Sequence, residues 1–424
     1  MNNILNRIKK DVNIELLNGL WPGFKRAAFA LYNDEHVYVL HHPLFLKDDG
    51  EYAVLKWDDQ FKGDTCILFK DYPTAIVNMN RYKDYESLLA IVVHELFHCY
   101  QYLNKESRFP NESLGFQYPI IEENIELRNK ERMCLYDAVH CKSQAEKYNY
   151  IKQFIELREQ RTSFMKEEFI TYECMVESIE GPAWYVEMNA YNAICEKDES
   201  ETLRKYSGFI LDAYEANDNI RKSCYSSGML LCLLLDEILP NWKTSFFNSD
   251  KSLYAFLKQN LNVDLSFNNE IAISKETKKI LHFVQNERDK DFMQFYKEEG
   301  YHLYIVGNMK LNMFNPMNVN LNGNKALHKT FLSVSIHNKT YMIDQPVLAS
   351  FEEDFKNMTQ VHIIMNEKPI ETNNGWNVVG IGDIEAEYEE EKNSIFLYLK
   401  NRSEVRNNDE EVMHNSMREK ENLG

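Results

Sequence analysis

The sequence predicts an α+β fold, and three observations support this fold class. Residues 28 to 80 contain short apolar and β-branched runs that are separated by turn-forming residues. Residues 81 to about 290 contain long apolar or charge-laced stretches of helical periodicity. After Gly300, short β-rich runs return between Asn, Gly and Pro clusters. We therefore expect an N-terminal strand region, a mainly helical core and a β-rich C-terminal domain.

Turn and capping residues place the elements of the first two regions. Strands are expected near residues 28–32, 36–42, 53–57 and 66–70. Asp84 is suited to cap a strongly apolar helix that ends near Leu103. From Ile120 to about Glu196 the pattern is mainly helical, and Gly181-Pro182 is expected to interrupt it. Residues 205–260 continue as helices.

These patterns give expected domain boundaries. The N-terminal strand-rich region covers residues 1–80, and the helical core covers residues 81–290 with an insertion at about 105–170. The β-rich domain, expected to be mostly antiparallel, covers residues 300–400. Residues 401–424 are polar and have few apolar anchors, so we expect a frayed tail.

Composition excludes two classes of partner. The chain has 424 residues with 48 basic and 66 acidic side chains, a net charge of −18. Such a charge repels nucleic-acid phosphates and anionic lipid, so neither nucleic acid nor a membrane surface is an expected partner. No apolar run approaches the ~20 residues that a bilayer requires, and the first residues do not resemble a signal peptide. We expect a cytoplasmic protein with reduced cysteines; its oligomeric state stays open.

The chemistry-bearing motif is His94-Glu95-Leu96-Phe97-His98, the pattern H-E-x-x-H, on the apolar helix. Two histidines four residues apart lie on one helical face and can bind one Zn²⁺, while the glutamate can act on the water that zinc activates. A pair of hydrogen-bonded core histidines is the alternative. A catalytic zinc needs a third protein ligand, and Glu180, 82 residues after His98 in another helical stretch, is the candidate.

Two further segments carry a resemblance to a family. Glu180-Gly181-x-Ala183-x-Tyr185-x-Glu187 resembles the E-G-x-A-x-Y-x-E segment of aminopeptidase-N-like gluzincins, and Tyr225-Ser-Ser-Gly228 resembles their Y-x-K-G segment. The resemblance covers roughly residues 75–240 as short motifs. It implies a zincin-like catalytic domain in which His94, His98 and Glu180 bind one zinc ion. Glu95 would be general base and then acid, and Tyr225 would stabilise the developing oxyanion.

Departures from the family pattern bear on the fold and on the substrate. The long gap between His98 and Glu180 requires the helical insertion to fold away or to form one wall of the cleft. Pro182 stands beside the third ligand, and Ser227 replaces a lysine beside the tyrosine. The stretch Thr74–Asn80, expected to be an edge strand able to pair with an extended peptide, lacks the acid that holds the substrate amine in family aminopeptidases. Cleavage of internal peptide bonds is therefore slightly favoured over aminopeptidase activity.

Four other residues are candidates for supporting the metal or contacting the substrate. Gln101 lies on the ligand face of the helix, and Glu177 or Glu187 can accept a hydrogen bond from a ligating imidazole. Asn78 lies in the expected edge strand. For Gln101, Glu177 and Glu187 the alternative is a solvated side chain on the helix surface.

The expected function is that of a zinc metallopeptidase acting on a peptide or protein substrate. The alternative is an inactive or weakly active zincin-fold protein that binds peptides or other proteins. The missing amine-binding acid and Ser227 favour this alternative, whereas the intact Glu95 opposes it.

Overall fold

A computed structural model describes residues 2–45, 52–195, 198–261, 264–266, 270–337, 339–352, 355–373 and 375–400. The chain contains both helices and sheets, as an α+β protein does. It divides into two units, Met1–His282 and Phe283–Gly424. The division falls within the helix Lys275–Lys297, whereas the sequence suggested a gap between residues 290 and 300. The expected tail, residues 401–424, lies outside the described residues.

The first unit is mainly helical. Its described helices are α1 (Asn2–Asp11), α2 (Ile14–Leu20), α3 (Tyr85–Leu103), α4 (Ser113–Phe116), α5 (Glu122–His140), α6 (Gln144–Thr162), α7 (Glu167–Ile194), α8 (Glu199–Ser207), α9 (Ala213–Asp218), α10 (Ile220–Ile238), α11 (Trp242–Phe247), α12 (Leu253–Gln259) and the start of α13 (Lys275–Lys297). One apolar core joins α3, α7 and α10. Among the described helices, none combines the length and apolarity needed to cross a bilayer.

A five-stranded sheet precedes α3. Its strands are β1 (Ala28–Tyr32), β2 (His36–Leu40), β3 (Ala53–Lys56), β4 (Thr65–Phe69) and β5 (Tyr72–Asn78), in the order β3-β2-β1-β5-β4. Strands β1 and β5 are parallel, and the other neighbours are antiparallel. The expectation of an edge strand at Thr74–Asn80 is therefore wrong, because β5 lies inside the sheet and β4 forms the edge. The run Pro73–Val77 is buried throughout, as befits a strand covered on both faces.

Helix α7 continues through Pro182, contrary to the expected interruption. A proline inside a helix costs about 3 kcal/mol or more through its missing N–H donor and its ring clash. Contacts of α7 with α3 and α10 in the apolar core offset this cost. Asp84 caps α3 as expected, since its side chain accepts a hydrogen bond from the Ser87 N–H.

The described strands of the second unit are β6 (Tyr301–Phe314), β7 (Val319–Asn322), β8 (Lys325–His328), β9 (Leu332–Ile336), β10 (Lys339–Ile343), β11 (Val347–Phe351), β12 (Asn357–Met365), β13 (Ile370–Thr372), β14 (Gly375–Val378), β15 (Gly382–Ile384), β16 (Ala386–Glu391) and β17 (Ser394–Leu399). The large sheet has the order β10-β9-β6-β12-β11-β8-β7, and β17 pairs with both β6 and β16. Strands β13, β14 and β15 form a small separate sheet. The pairing is antiparallel except between β6 and β17.

Candidate metal centre

Helix α3 presents the two histidines of the H-E-x-x-H motif side by side. His94 is 3% exposed, and its Nε2 lies 3.0 Å from Nε2 of His98. One helical turn separates the two residues, which explains why their rings meet. This arrangement of two ring nitrogens suits two ligands of one cation.

Helix α7 brings Glu180 to the same point. Its Oε2 lies 3.3 Å from Nε2 of His98 and 3.6 Å from Nε2 of His94. Ligands on one tetrahedral metal ion with bonds of about 2.0–2.1 Å stand roughly 3.3 Å apart, so these separations fit one bound metal ion. Although buried, Oε2 makes no hydrogen bond of normal geometry within the described part of the chain. The three residues therefore form a buried group that can hold a metal ion.

Each imidazole contacts a polar side chain through the nitrogen that faces away from this point. Nδ1 of His98 lies 2.8 Å from the Gln101 carbonyl oxygen, and the Gln101 amide donates to the Ile179 carbonyl at 2.8 Å. Because only the NH₂ of Gln101 can donate to Ile179, its oxygen faces His98 and accepts the Nδ1 proton. Nδ1 of His94 lies 2.9 Å from Oε2 of Glu187, an ion-pair contact that lacks normal hydrogen-bond geometry. Each Nε2 is thus left free for a metal.

Charge also favours a cation here. Burial opposes ionisation of Glu180, but Arg221 and His98 outweigh it and hold the pKa of this carboxyl well below its usual range. Burial lowers the pKa of His94, yet the carboxylates of Glu180 and Glu187 outweigh burial and raise it above its usual value. The pocket therefore attracts positive charge to the imidazole nitrogens.

Glu95 is buried beside these ligands, 5% exposed, and its Oε2 has no hydrogen-bond partner among the described residues. Burial raises its pKa to about 7, although His94 and His98 act to lower it. A carboxyl group with a pKa near neutrality can both accept and release a proton at physiological pH.

Tyr225 lies on helix α10 with its ring facing His94. The ring centroids are 6.2 Å apart with an interplanar angle of 21°, and Trp184 lies 6.0 Å from Tyr225. The Arg221 guanidinium donates to the Tyr225 hydroxyl oxygen. The structure thus places the tyrosine beside a metal-ligand candidate.

Two glycines allow α7 and α10 to meet at this site. A Cβ added to Gly228 would lie 2.4 Å from the Glu177 carbonyl oxygen and 2.7 Å from Cα of Gly181. Such distances leave no space for a side chain, so the two helix backbones touch. Glu180 precedes Gly181, and Tyr225 lies about one helical turn before Gly228, so the close crossing sets the distance between these two candidate residues.

The structure contradicts the proposed role of Glu177. Its carboxylate accepts hydrogen bonds from Arg158 at 2.6 and 3.0 Å and from the Ser227 hydroxyl at 2.7 Å, and no imidazole contacts it in the described structure. Glu177 faces α6, and it belongs to a buried ion-pair network with Glu131 and Arg158. Ser227, which stands where the resembled motif has a lysine, donates its hydroxyl to Glu177 of this network.

Asn78 has a structural position at the end of β5. Its side chain accepts a hydrogen bond from the Asn80 N–H at 3.0 Å, and its backbone N–H donates to Asp64 at 2.8 Å.

The insertion at 105–170 forms α4, α5 and α6, and it packs on the helices of the site through Arg158 and Glu112.

Sequence reasoning missed Arg221 and Glu112. Arg221 donates to Oε1 of Glu180 at 2.8 Å and to both carboxylate oxygens of Glu112 at 2.9 and 3.0 Å. The available signal was the spacing of Arg221, one helical turn before Tyr225. Glu112, in a loop, gave no signal.

No protein-family model, curated protein or solved structure matches this chain.

Proposed function

We propose that this protein is a zinc-dependent peptidase with a zincin-like, gluzincin-type catalytic domain. One observation carries the proposal: three ligand atoms of His94, His98 and Glu180 converge in a buried pocket next to Glu95, whose Oε2 has no hydrogen-bond partner in the described part of the chain. Buried polar atoms without partners are costly, so their convergence is best explained by a cation and a water molecule.

Each residue has a role in this proposal. A zinc ion held by the three ligands supplies Lewis acidity, which polarises a scissile carbonyl and makes water acidic. Glu95 takes the proton from the attacking water and returns it to the leaving amine. The Tyr225 hydroxyl donates to the oxyanion that develops on the carbonyl oxygen, a contact worth roughly 10²- to 10³-fold in rate.

Internal peptide bonds are the favoured substrate. Strand β4 is an edge strand of the sheet, and edge strands can pair with an extended peptide. Asp64, just before β4, accepts hydrogen bonds from Tyr82 at 2.8 Å and from Arg81 at 3.2 Å. Because these partners already satisfy its charge, Asp64 is poorly suited to bind a substrate ammonium group.

Metal content and hydrolysis test the proposal. Purified protein should contain about one zinc ion per chain, and Glu180→Ala should lose it. Glu95→Gln should keep the metal and lose hydrolysis, whereas the control Glu86→Gln on the same helix should keep both. Wild-type protein without stoichiometric zinc would refute the proposal.

A digest of a fluorogenic peptide library, with and without a chelator, tests the activity itself. Chelator-sensitive cleavage supports the peptidase, and the cleaved positions distinguish internal from terminal attack. Binding of peptides without cleavage would instead favour the alternative of a peptide-binding module.

A further inference from the structure

Arg221 connects two residues of the metal centre, Glu180 and Tyr225, to Glu112 of the insertion. Its Nη2 donates to Oε1 of Glu180 at 2.8 Å, its Nη1 donates to the Tyr225 hydroxyl, and its Nε and Nη2 hold Glu112 at 2.9 and 3.0 Å. We propose that Arg221 is a positioning residue, which selects the Glu180 oxygen that binds the metal and directs the hydroxyl proton of Tyr225 toward the substrate. This inference rests on the proposed function.

The first role follows from the two oxygens of Glu180. A carboxylate that rotates freely can offer either oxygen to a metal. Arg221 fixes Oε1, and Oε2 is thereby left facing the two imidazoles at 3.3 and 3.6 Å. The guanidinium therefore prepares a single ligand oxygen before the metal arrives, as groups that orient metal ligands do.

The second role follows from the chemistry of the guanidinium. Arginine has five N–H donors and no acceptor, so the Tyr225 oxygen must accept in this pair. The hydroxyl proton then points away from Arg221 and is available for a developing oxyanion. A lysine at this position has no planar fork, and it cannot hold three partners in fixed directions.

Glu112 anchors Arg221 from the insertion. Arg221 lies in the first turn of α10, where the helix dipole disfavours a cation. The pair with Glu112 offsets this cost and holds the guanidinium in one orientation. The Glu112 side chain is 29% exposed and contacts none of the three ligand candidates in the described structure, so it acts on the centre through Arg221.

Zinc affinity tests the selection of the ligand oxygen. In competition with a chromophoric chelator, Arg221→Lys should raise the zinc Kd about 10- to 100-fold. Glu112→Gln should raise the zinc Kd at least about 3-fold, but by less than Arg221→Lys does, because the amide of the introduced glutamine keeps one acceptor oxygen. The controls Arg204→Lys on the surface of α8 and Glu215→Gln on α9 should leave the Kd unchanged. Unchanged affinity in both test variants would overturn the inference. Should Arg221→Lys fail to fold, Glu112→Gln alone decides.

A double-mutant cycle tests the direction of the tyrosine proton. Arg221→Lys should lower kcat at least 10-fold with little change in KM, since misplacement of a reacting group costs up to about 10²-fold. With zinc held at a saturating concentration for every variant, so that weaker metal binding does not contribute, the same substitution in a Tyr225→Phe background should change kcat by less than about 3-fold, because the phenol it orients is gone. Equal effects in both backgrounds would overturn this role.

The two measurements separate this inference from the proposed function. Zinc binding without hydrolysis would refute the peptidase, while the affinities still decide whether Arg221 prepares Glu180. If the Arg221 and Glu112 variants both keep the wild-type rate of hydrolysis and the wild-type zinc affinity, this inference is refuted while the proposed function stands. A wild-type chain that binds no zinc would refute both.

Discussion

The crossing of α7 and α10 makes a specific prediction for Gly228→Ala. The added methyl group would lie 2.4 Å from the Glu177 carbonyl oxygen, 2.7 Å from Cα of Gly181 and 3.0 Å from Cα of Glu177. All three neighbours are backbone atoms, which cannot rotate away as a side chain can. The helices must therefore separate, and overpacking of this kind costs about 1–3 kcal/mol, occasionally more.

The net effect also includes helix propensity. Alanine is favoured over glycine inside a helix by about 1 kcal/mol. With the steric cost at the upper end of its range, Gly228→Ala should lower the free energy of unfolding by about 2 kcal/mol. For a unit of 282 residues the unfolding entropy is roughly 0.6 kcal/mol/K, so the Tm should fall by about 3 °C.

Thermal and urea unfolding followed by tryptophan fluorescence measure this effect. Four of the five tryptophans, Trp21, Trp57, Trp184 and Trp242, lie in the Met1–His282 unit. Gly19→Ala in α2 is the control, because an added Cβ there meets no atom within 4 Å. It should raise stability by up to about 1 kcal/mol. A Gly228→Ala variant as stable as Gly19→Ala would refute the close packing of the two helices.

Three other predictions concern metal affinity, buried charge and pH. Gln101→Ala should raise the zinc Kd about 10- to 100-fold in chelator competition, since it removes the acceptor that orients His98; an unchanged Kd would contradict this. Glu173→Gln should lower the free energy of unfolding in urea by about 3 kcal/mol, because it leaves the buried Arg128 guanidinium without its carboxylate and Arg161 with the carboxylate of Glu131 alone; a loss below about 1 kcal/mol would count against it. Burial lowers the pKa of His328 to about 3, whereas the pKa of an unfolded histidine is near 6.5. The unfolded state therefore binds the proton first as the pH drops. The free energy of unfolding falls as the pH decreases from about 6.5 toward 3. When the pH is lowered from about 7 to 5, the free energy of unfolding in urea should therefore fall by about 2 kcal/mol less in His328→Phe than in wild type. Equal losses in the two proteins would contradict this.

Helical periodicity identified much of the candidate centre. The four-residue spacing of His94 and His98 places both on one face of α3, and the structure brings their Nε2 atoms together. Periodicity also separates the two supporting glutamates of α7. Glu187 lies only about 20° from Glu180 around the helix, whereas Glu177 lies about 60° away. The contact of Glu187 with His94, and the contact of Glu177 with Arg158 instead, follow this difference.

The order of the strands in the sheet and the contacts of loop residues could not be predicted from periodicity. Strand β5 is inside the sheet because β4, the preceding strand, folds back along its outer side. Glu112 and Arg221 are 109 residues apart, and no local pattern relates them.

The sequence by itself determined the helix that carries His94, Glu95 and His98, and it determined which side chains share a face of that helix, because backbone geometry repeats along one element. Only the tertiary structure decided which neighbour meets each face. The crossing at Gly181 and Gly228 brings Glu180 to the histidines, and the fold of the insertion brings Glu112 to Arg221. Such contacts depend on close packing between segments that are distant in the sequence, and the periodicity of a single segment does not predict them.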